Sequence, residues 1–406
     1  MNGLANLPAS LRQYILITGN YWAFTLTDGA LRMLVVLYFY GLGYSPFDIA
    51  MLFVFYEVFG VITNLLGGWL GARLGLNKTM NIGLFLQIMA LAMLLVPVNL
   101  LLIPWVMAAQ ALSGIAKDLN KMSAKSAIKM LVPKDAEGQL FKWIAILTGS
   151  KNALKGIGFF MGGTLLAAFG FRNAIGIMVV LLALVWVLSL IKLKKDIGKA
   201  KTKPKFTELF SKSQAVNVLS AARLFLFGAR DVWFVVALPV YLSSQFGWNH
   251  SWVGGFLALW VIGYGFVQTI APKITGSAKG QNPDGHHALM WALLLSVIPV
   301  LIAMTLMLEW HDKAAIIVGL LIFGAIFAIN SSLHSYLIVS YASEEGVSLD
   351  VGFYYMANAM GRLLGTVLSG WLYQDYGLIV CLWFSSSFVA IAALLSIALP
   401  RNNALN

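Results

Sequence analysis

The chain has 406 residues, 60% hydrophobic and 11% charged, with a formal net charge of +12. An ordinary soluble domain carries roughly 25% charged residues, so the composition excludes a soluble enzyme. At about 20 apolar residues per spanning helix there is room for about a dozen spans and no large extramembrane domain. The single cysteine, Cys381, excludes a disulfide framework and a cysteine-based metal site.

Apolar runs predict an all-α polytopic membrane protein of twelve spans. The first, about 14–40, carries Asp28 and Arg32 in its middle. The apolar core of a secretory signal is short and uncharged, so this stretch reads as a true span. Further spans are predicted at about 47–71, 79–98, 101–130, 141–168 and 174–191, then 216–243, 251–271, 288–308, 314–340, 350–373 and 378–399. Residues 1–191 and 213–406 therefore form two six-helix bundles joined by a linker, 192–212, with eight lysines against Asp196 and Glu208. Basic loops face the cytoplasm. The linker, together with Arg73, Lys78, Lys134, Lys273 and Lys279 against only Arg172 and Lys313 opposite, puts both termini there. The basic excess thus belongs to membrane topology and not to nucleic-acid binding.

The halves read as repeats. Lys155-x-x-Gly158-x4-Gly163-x-Leu165-x4-Gly170 aligns with Arg362-x-x-Gly365-x4-Gly370-x-Leu372-x4-Gly377 at a constant offset, and Asn120 matches Asn330. Six-plus-six parallel repeats about a central linker resemble the major facilitator superfamily. The stretch Gly67-Gly68-Trp69-Leu70-Gly71-Ala72-Arg73-Leu74-Gly75-Leu76-Asn77-Lys78 resembles that family's signature between helices two and three, with Ala72 where an acid is usual. Gln110 stands where the family often has an arginine. Four segments are similar to the organoarsenical efflux permeases of the ArsJ type: 19–32, 117–126, 149–156 and Phe227-Gly228-Ala229-Arg230-Asp231-Val232-Trp233. That resemblance implies a bacterial inner-membrane exporter of 1-arseno-3-phosphoglycerate. It also implies arsenate resistance and a functional partnership with a glyceraldehyde-3-phosphate dehydrogenase that makes the substrate.

The residues themselves point to an anion site. Arg32, Lys117, Lys121, Lys125, Lys151, Lys155, Arg223, Arg230 and Arg362 lie inside predicted spans, against Asp28, Glu57, Asp118 and Asp231. A charge at the bilayer centre costs about 2.5–3.5 kcal/mol, and four acids cannot neutralise nine bases. Lys125, Lys129, Lys142 and Arg223 are expected to snorkel to the interface. Arg32 and Arg230, midway along spans one and seven, are candidates to grip a phosphoryl or arsenate group by forked hydrogen bonds. This arrangement resembles the organophosphate antiporters. The competing reading is two intrahelical ion pairs. Asp28, four residues before Arg32, is expected to reach it. Asp231, adjacent to Arg230, points about 100° away and is not expected to satisfy it.

Lys117, Lys121, Lys151 and Lys155 fall at similar depth, as candidates for the second anionic group, with Arg362, Asn120 and Asn330 beside them. A Lys–Asp brace through Asp118 is the alternative. Asp118, Glu57 and His334 are the candidates for proton coupling. Trp260, Tyr264, Gln268, Tyr354 and Tyr355 are equally cavity-lining or packing residues. There is no Gly-x4-Gly-Lys-Ser/Thr loop, no His-Glu-x-x-His and no Gly-x-Ser-x-Gly, so no cofactor, metal or catalytic centre is expected. An organic-anion antiporter remains the neighbouring alternative. An anion channel is the alternative of another class, although it would not need two rocking halves.

Overall fold

The computed structural model describes residues 8–43, 52–133, 137–193, 197–198, 213–248, 250–275, 282–344 and 346–401. Every long element among them is helical: α1 (Ala9–Gly41), α2 (Val54–Leu74), α3 (Leu76–Met93), α4 (Ile103–Leu131), α5 (Glu137–Lys192), α6 (Gln214–Phe234), α7 (Ala237–Phe246), α8 (His250–Ile274), α9 (Gly285–Met307), α10 (Asp312–Tyr341) and α11 (Val347–Ser396). Two of these hold two spans each, and α6 with α7 makes one, so the twelve expected spans are present. Most of the basic linker, 194–196 and 199–212, lies outside the described residues, as do Lys134 and Lys279.

The breaks follow from local chemistry. In α5 the chain turns at Gly170 (φ 72°, ψ 171°) and in α11 at Gly377 (φ 78°, ψ −177°). Only glycine adopts this conformation without strain. These are the matched terminal glycines of the sequence repeat, so the two halves share a backbone device. Between α6 and α7 the hydroxyl of Ser369 accepts from the backbone N–H of Val236 (3.3 Å) and Ala237 (3.1 Å), capping the restart of the helix. The helix expected from 288 starts three residues earlier, with His286 and His287 in the first turn of α9. Asp284 caps it, accepting from His286 N (3.0 Å) and His287 N (3.3 Å), with the His287 ring 2.8 Å from the same carboxylate.

Among the described residues, six helices are long and apolar enough to cross a membrane by length and composition alone. Helices α4 and α6 are not among them, because their interiors carry Lys117, Asp118 and Lys121, and Arg223, Arg230 and Asp231, respectively.

The chain forms two compact units, and their boundaries are not those of two contiguous halves. Unit 1 holds residues 1–136, 150–211 and 342–356; unit 2 holds 137–149, 212–341 and 357–406. In unit 1, the first turns of α11 pack on α2. A Cβ on Gly352 would meet the Asn64 carbonyl at 2.7 Å and the Gly68 Cα at 2.9 Å, so the two backbones nearly touch. Gly67–Gly71, at the end of the span expected at 47–71, is helix, and its glycines serve this close approach. The turn after it is one residue, Gly75 (φ 94°). In unit 2, Gly149 of α5 lies against the backbone of Gly265 and Thr269 of α8 with no room for a methyl group.

Each unit has its own apolar core. In unit 1, Phe24, Leu31, Leu34, Leu84, Leu91, Val106 and Ile175 are buried together. In unit 2, Trp233, Trp260, Phe323 and Phe327 form an aromatic centre. Trp260 stacks on Tyr264 with centroids 5.7 Å apart and donates to the Leu320 carbonyl at 2.8 Å. Trp260 and Tyr264 are thus packing residues.

Candidate functional site

Unit 1 builds a charged cluster from α1, α2 and α4. Its centre is Tyr56, which is buried. Its hydroxyl donates to Asp28 Oδ1 at 2.8 Å, the Arg32 guanidinium lies 4.4 Å from its ring centroid, and Lys117 Nζ lies 3.8 Å from it. The expected Asp28–Arg32 pair gives way to this arrangement. Arg32 Nη2 donates instead to Glu57 Oε1 at 3.4 Å, across to α2, while Tyr56 holds Asp28. Glu57 is therefore an arginine partner.

Next to Lys117 on α4, Asp118 is buried, with Lys121 Nζ at 2.6 Å from Oδ1 and Lys117 Nζ at 3.9 Å from Oδ2. Gly60 of α2 makes room for it, since a Cβ there would lie 2.9 Å from Asp118 Oδ2. Lys121 and Lys125 in turn share the ring of Tyr355, at 4.5 and 5.1 Å from its centroid. Lys125 does not snorkel: it is 4% exposed. Lys129 Nζ donates to the Ala342 carbonyl. Lys142 is exposed. On α5, Lys151 and Lys155 are half-buried, and Lys155 Nζ is 5.8 Å from the Phe159 ring centroid.

Unit 2 builds its cluster on α6 and α11. Asp231 is completely buried and takes two arginines. Arg230 donates to Oδ1 through Nε (2.6 Å) and Nη2 (2.5 Å), and Arg362 Nε donates to Oδ2 at 3.2 Å. The adjacent pair expected to miss each other thus meets, because the long guanidinium stem folds back along the helix. Arg223, expected at the interface, is 3% exposed. Its Nε donates to Asn358 Oδ1 (2.9 Å), its Nη1 to the Ser331 carbonyl (3.3 Å), and its plane lies 3.8 Å from the Phe227 ring centroid. Arg230 lies 4.9 Å from the same ring.

Helix packing sets the register of these charges. Gly158 meets the Leu26 carbonyl and Gly29 Cα, and Gly365 meets the Gly228 carbonyl and Asp231 Cβ, in the same geometry. Gly228 therefore corresponds to Leu26, so Arg230 is level with Asp28 and not with Arg32. The two arginines occupy equivalent helices one turn out of step.

The remaining candidates are tied to backbone or packing. Asn120 donates to the Ala116 carbonyl (2.8 Å), and Asn330 to the Trp291 (2.8 Å) and Ile326 (3.3 Å) carbonyls. Gln268 donates to Tyr264 Oη at 2.9 Å. His334 is fully buried, and neither ring nitrogen has a hydrogen-bond partner. The sequence reading missed Tyr56, Gly60, Asn358 and the inward Arg223. Only Arg223 carried a signal, lying seven residues, or two turns, before Arg230 on one helical stripe.

The Major Facilitator Superfamily model matches residues 17–349. Among solved structures, the chain is similar to the human organic anion transporter MFSD10 (TM-score 0.74, 14% identity, covering 96% of this chain and 100% of that one). It is similar to the E. coli fucose:proton symporter FucP (TM-score 0.76, 11% identity, 96% and 99%). It is also similar to a bacterial homologue of the iron transporter ferroportin in an outward-facing state (TM-score 0.71, 14% identity, 94% and 98%). No curated protein sequence matches significantly.

Proposed function

The chain belongs to the major facilitator superfamily, and from that premise, secondary transport across a membrane, we propose that it exports a small organic anion of more than one negative charge. The substrate named by the sequence resemblance is 1-arseno-3-phosphoglycerate, and the place of action is the bacterial inner membrane. One observation carries the reading: cations outnumber carboxylates inside the spanning helices of each unit. Unit 1 sets Arg32, Lys117, Lys121, Lys125, Lys151 and Lys155 against Asp28, Glu57 and Asp118; unit 2 sets Arg223, Arg230 and Arg362 against Asp231. Embedded charges of one sign mark the path of the opposite one.

The guanidinium groups of Arg32 and Arg230 are assigned to oxyanion recognition, since a planar fork matches a phosphoryl, arsenate or carboxylate edge. Lys117, Lys121, Lys151, Lys155 and Arg362 supply further positive charge along the route. Asp118, between two lysines, is the carboxylate placed to exchange partners when an anion arrives. Anion export from a cell that is negative inside is electrically downhill by about 2.3 kcal/mol per charge per 100 mV, so net flux needs no large proton contribution.

The test is uptake into everted membrane vesicles of 1-arseno-3-phosphoglycerate generated in situ, with 3-phosphoglycerate, inorganic phosphate and a neutral sugar as comparators, with and without a proton gradient. Saturable uptake of the organic anions with counterflow is expected. Uptake of the sugar alone, or anion flux that neither saturates nor shows counterflow, overturns the reading, the latter in favour of a channel.

A further inference from the structure

Unit 2 holds a second polar level beside the Arg230–Asp231–Arg362 cluster. Counted from the linker-side ends of their helices at about 1.5 Å per residue, Arg230 and Arg362 lie about 23 Å in. Arg223, Ser331, His334 and Asn358 lie about 10–17 Å in. The two levels are joined through one side chain. Phe227 sits one turn after Arg223 and one turn before Arg230, and both guanidinium groups lie against its ring, at 3.8 and 4.9 Å.

The lower level is unusual for a membrane interior. Arg223 donates to Asn358 and to the Ser331 carbonyl, two neutral acceptors that fix its plane. His334, one turn after the Ser331 whose carbonyl accepts from Arg223, is 0% exposed with both ring nitrogens unpartnered. The hydroxyl of Ser335 beside it is also buried and unpartnered. Burying such groups without partners costs about 1–3 kcal/mol each. Structures keep them where a partner arrives in function. A cation is a poor partner here, because the nearest fixed charge is positive. An oxyanion accepts from a guanidinium, an imidazole N–H and a hydroxyl together.

We propose that Arg223, His334 and Ser335 form a second oxyanion station, for a phosphoryl, arsenate or carboxylate group, and that Arg230 and Arg223 pass the anion between them along the edge of Phe227. The inference rests on the anion-export reading and adds to it a site and an order of events. An anion bound at Arg230 loses no cationic neighbour in moving, since the ring keeps the two guanidinium groups within about 9 Å of each other. Asn358 is a positioning residue, acting through Arg223.

The experiment uses the full-length protein, with inorganic phosphate and 3-phosphoglycerate as probes. Affinities are measured by calorimetry in detergent, and counterflow in proteoliposomes. Arg223→Gln and His334→Asn are each expected to weaken 3-phosphoglycerate binding about tenfold and to slow counterflow by at least as much. Arg230→Gln should retain weak saturable phosphate binding, which Arg223→Gln/Arg230→Gln abolishes. In 15N-histidine-labelled protein, phosphate should shift the His334 ring resonances, assigned by their loss in His334→Asn. A purely structural role would lower thermal stability and leave affinity, counterflow and those resonances unchanged, and that result overturns the proposal. If Arg223→Gln does not fold, Arg223→Lys and His334→Asn serve, with the same expected losses. Wild-type protein that binds neither probe overturns anion export as a whole. Wild-type binding indifferent to Arg223 and His334 overturns only the second station.

Discussion

Asp231→Asn offers the sharpest test of how unit 2 holds its arginines. The carboxylate is fully buried and accepts from Arg230 at 2.6 and 2.5 Å and from Arg362 at 3.2 Å. The asparagine amide keeps one acceptor oxygen and points two N–H donors at guanidinium groups that can only donate. Removing one partner of a buried ion pair costs about 3–5 kcal/mol. The Arg362 side chain is 31% exposed and the Arg230 side chain 16%, so solvent softens the Arg362 share and the lower half of that range applies. For a chain of this size each kcal/mol moves the midpoint by about 2–4 °C at most, which gives a fall of at most about 6–16 °C.

The assay is thermal unfolding in detergent, followed by tryptophan fluorescence. Asp375→Asn, at an exposed position, serves as the control. An oxyanion that binds the freed guanidinium groups should restore about 2.7 kcal/mol at a hundredfold excess over its dissociation constant. Phosphate is therefore expected to raise the midpoint of the variant more than that of the wild type. A variant within about a degree of the wild type, with no added response to phosphate, would refute the argument.

Arg32→Lys and Arg230→Lys keep the charge and lose the fork. Both should fail in anion uptake at normal expression, and normal uptake by both would remove the forked-recognition assignment. Gly377→Ala should cost about 1–3 kcal/mol, through backbone strain alone, because nothing lies within 4 Å of a Cβ there. Gly370→Ala, equally open but with ordinary helical φ, should be neutral or stabilising in the same melt. Gly60→Ala puts a methyl group 2.9 Å from Asp118 Oδ2. Displacing that carboxylate from Lys121 should lower the midpoint and alter transport, with Ala116→Gly on α4 as a comparison that leaves α2 intact. Asp118→Asn should abolish pH-gradient-driven uptake and spare counterflow if this carboxylate carries the coupling proton. Loss of both marks it as a brace.

The fold was legible because apolar length, loop charge and a repeated glycine pattern are all local signals. Gly170 and Gly377 show this well: their matched spacing marks the halves as repeats, and the structure adds that both are backbone breaks. Helix boundaries were harder where the chemistry is tertiary. The span expected to end at 71 runs on to Leu74, and the glycines near its end pack against the start of α11, some 280 residues on. Charge pairing was least legible. One-dimensional spacing favoured Asp28 with Arg32, and it gave no hint that Tyr56, on another helix, would take the acid and leave the arginine to Glu57. Arg223 was misassigned for a similar reason. Its neutral acceptors Asn358 and Ser331 lie on α11 and α10, and no local pattern announces them.

Tyr56, Tyr355 and Phe227 each sit against two cations, and the energetics explain why this arrangement recurs. Arg32 and Lys117 lie 4.4 and 3.8 Å from the Tyr56 centroid, so their separation is at most about 8 Å. At an effective dielectric of about 20 their repulsion is then about 2 kcal/mol. Each cation gains about 0.5–2 kcal/mol from the ring face, which offsets that repulsion. Compensation by charge comes from Glu57 on Arg32 and Asp118 on Lys117, and the ring adds to it. Buried and half-buried pairs of this kind are weakly screened by salt. The observed division of labour follows. Asp28, Glu57, Asp118 and Asp231 orient individual cations, while the aromatic rings hold cations near one another.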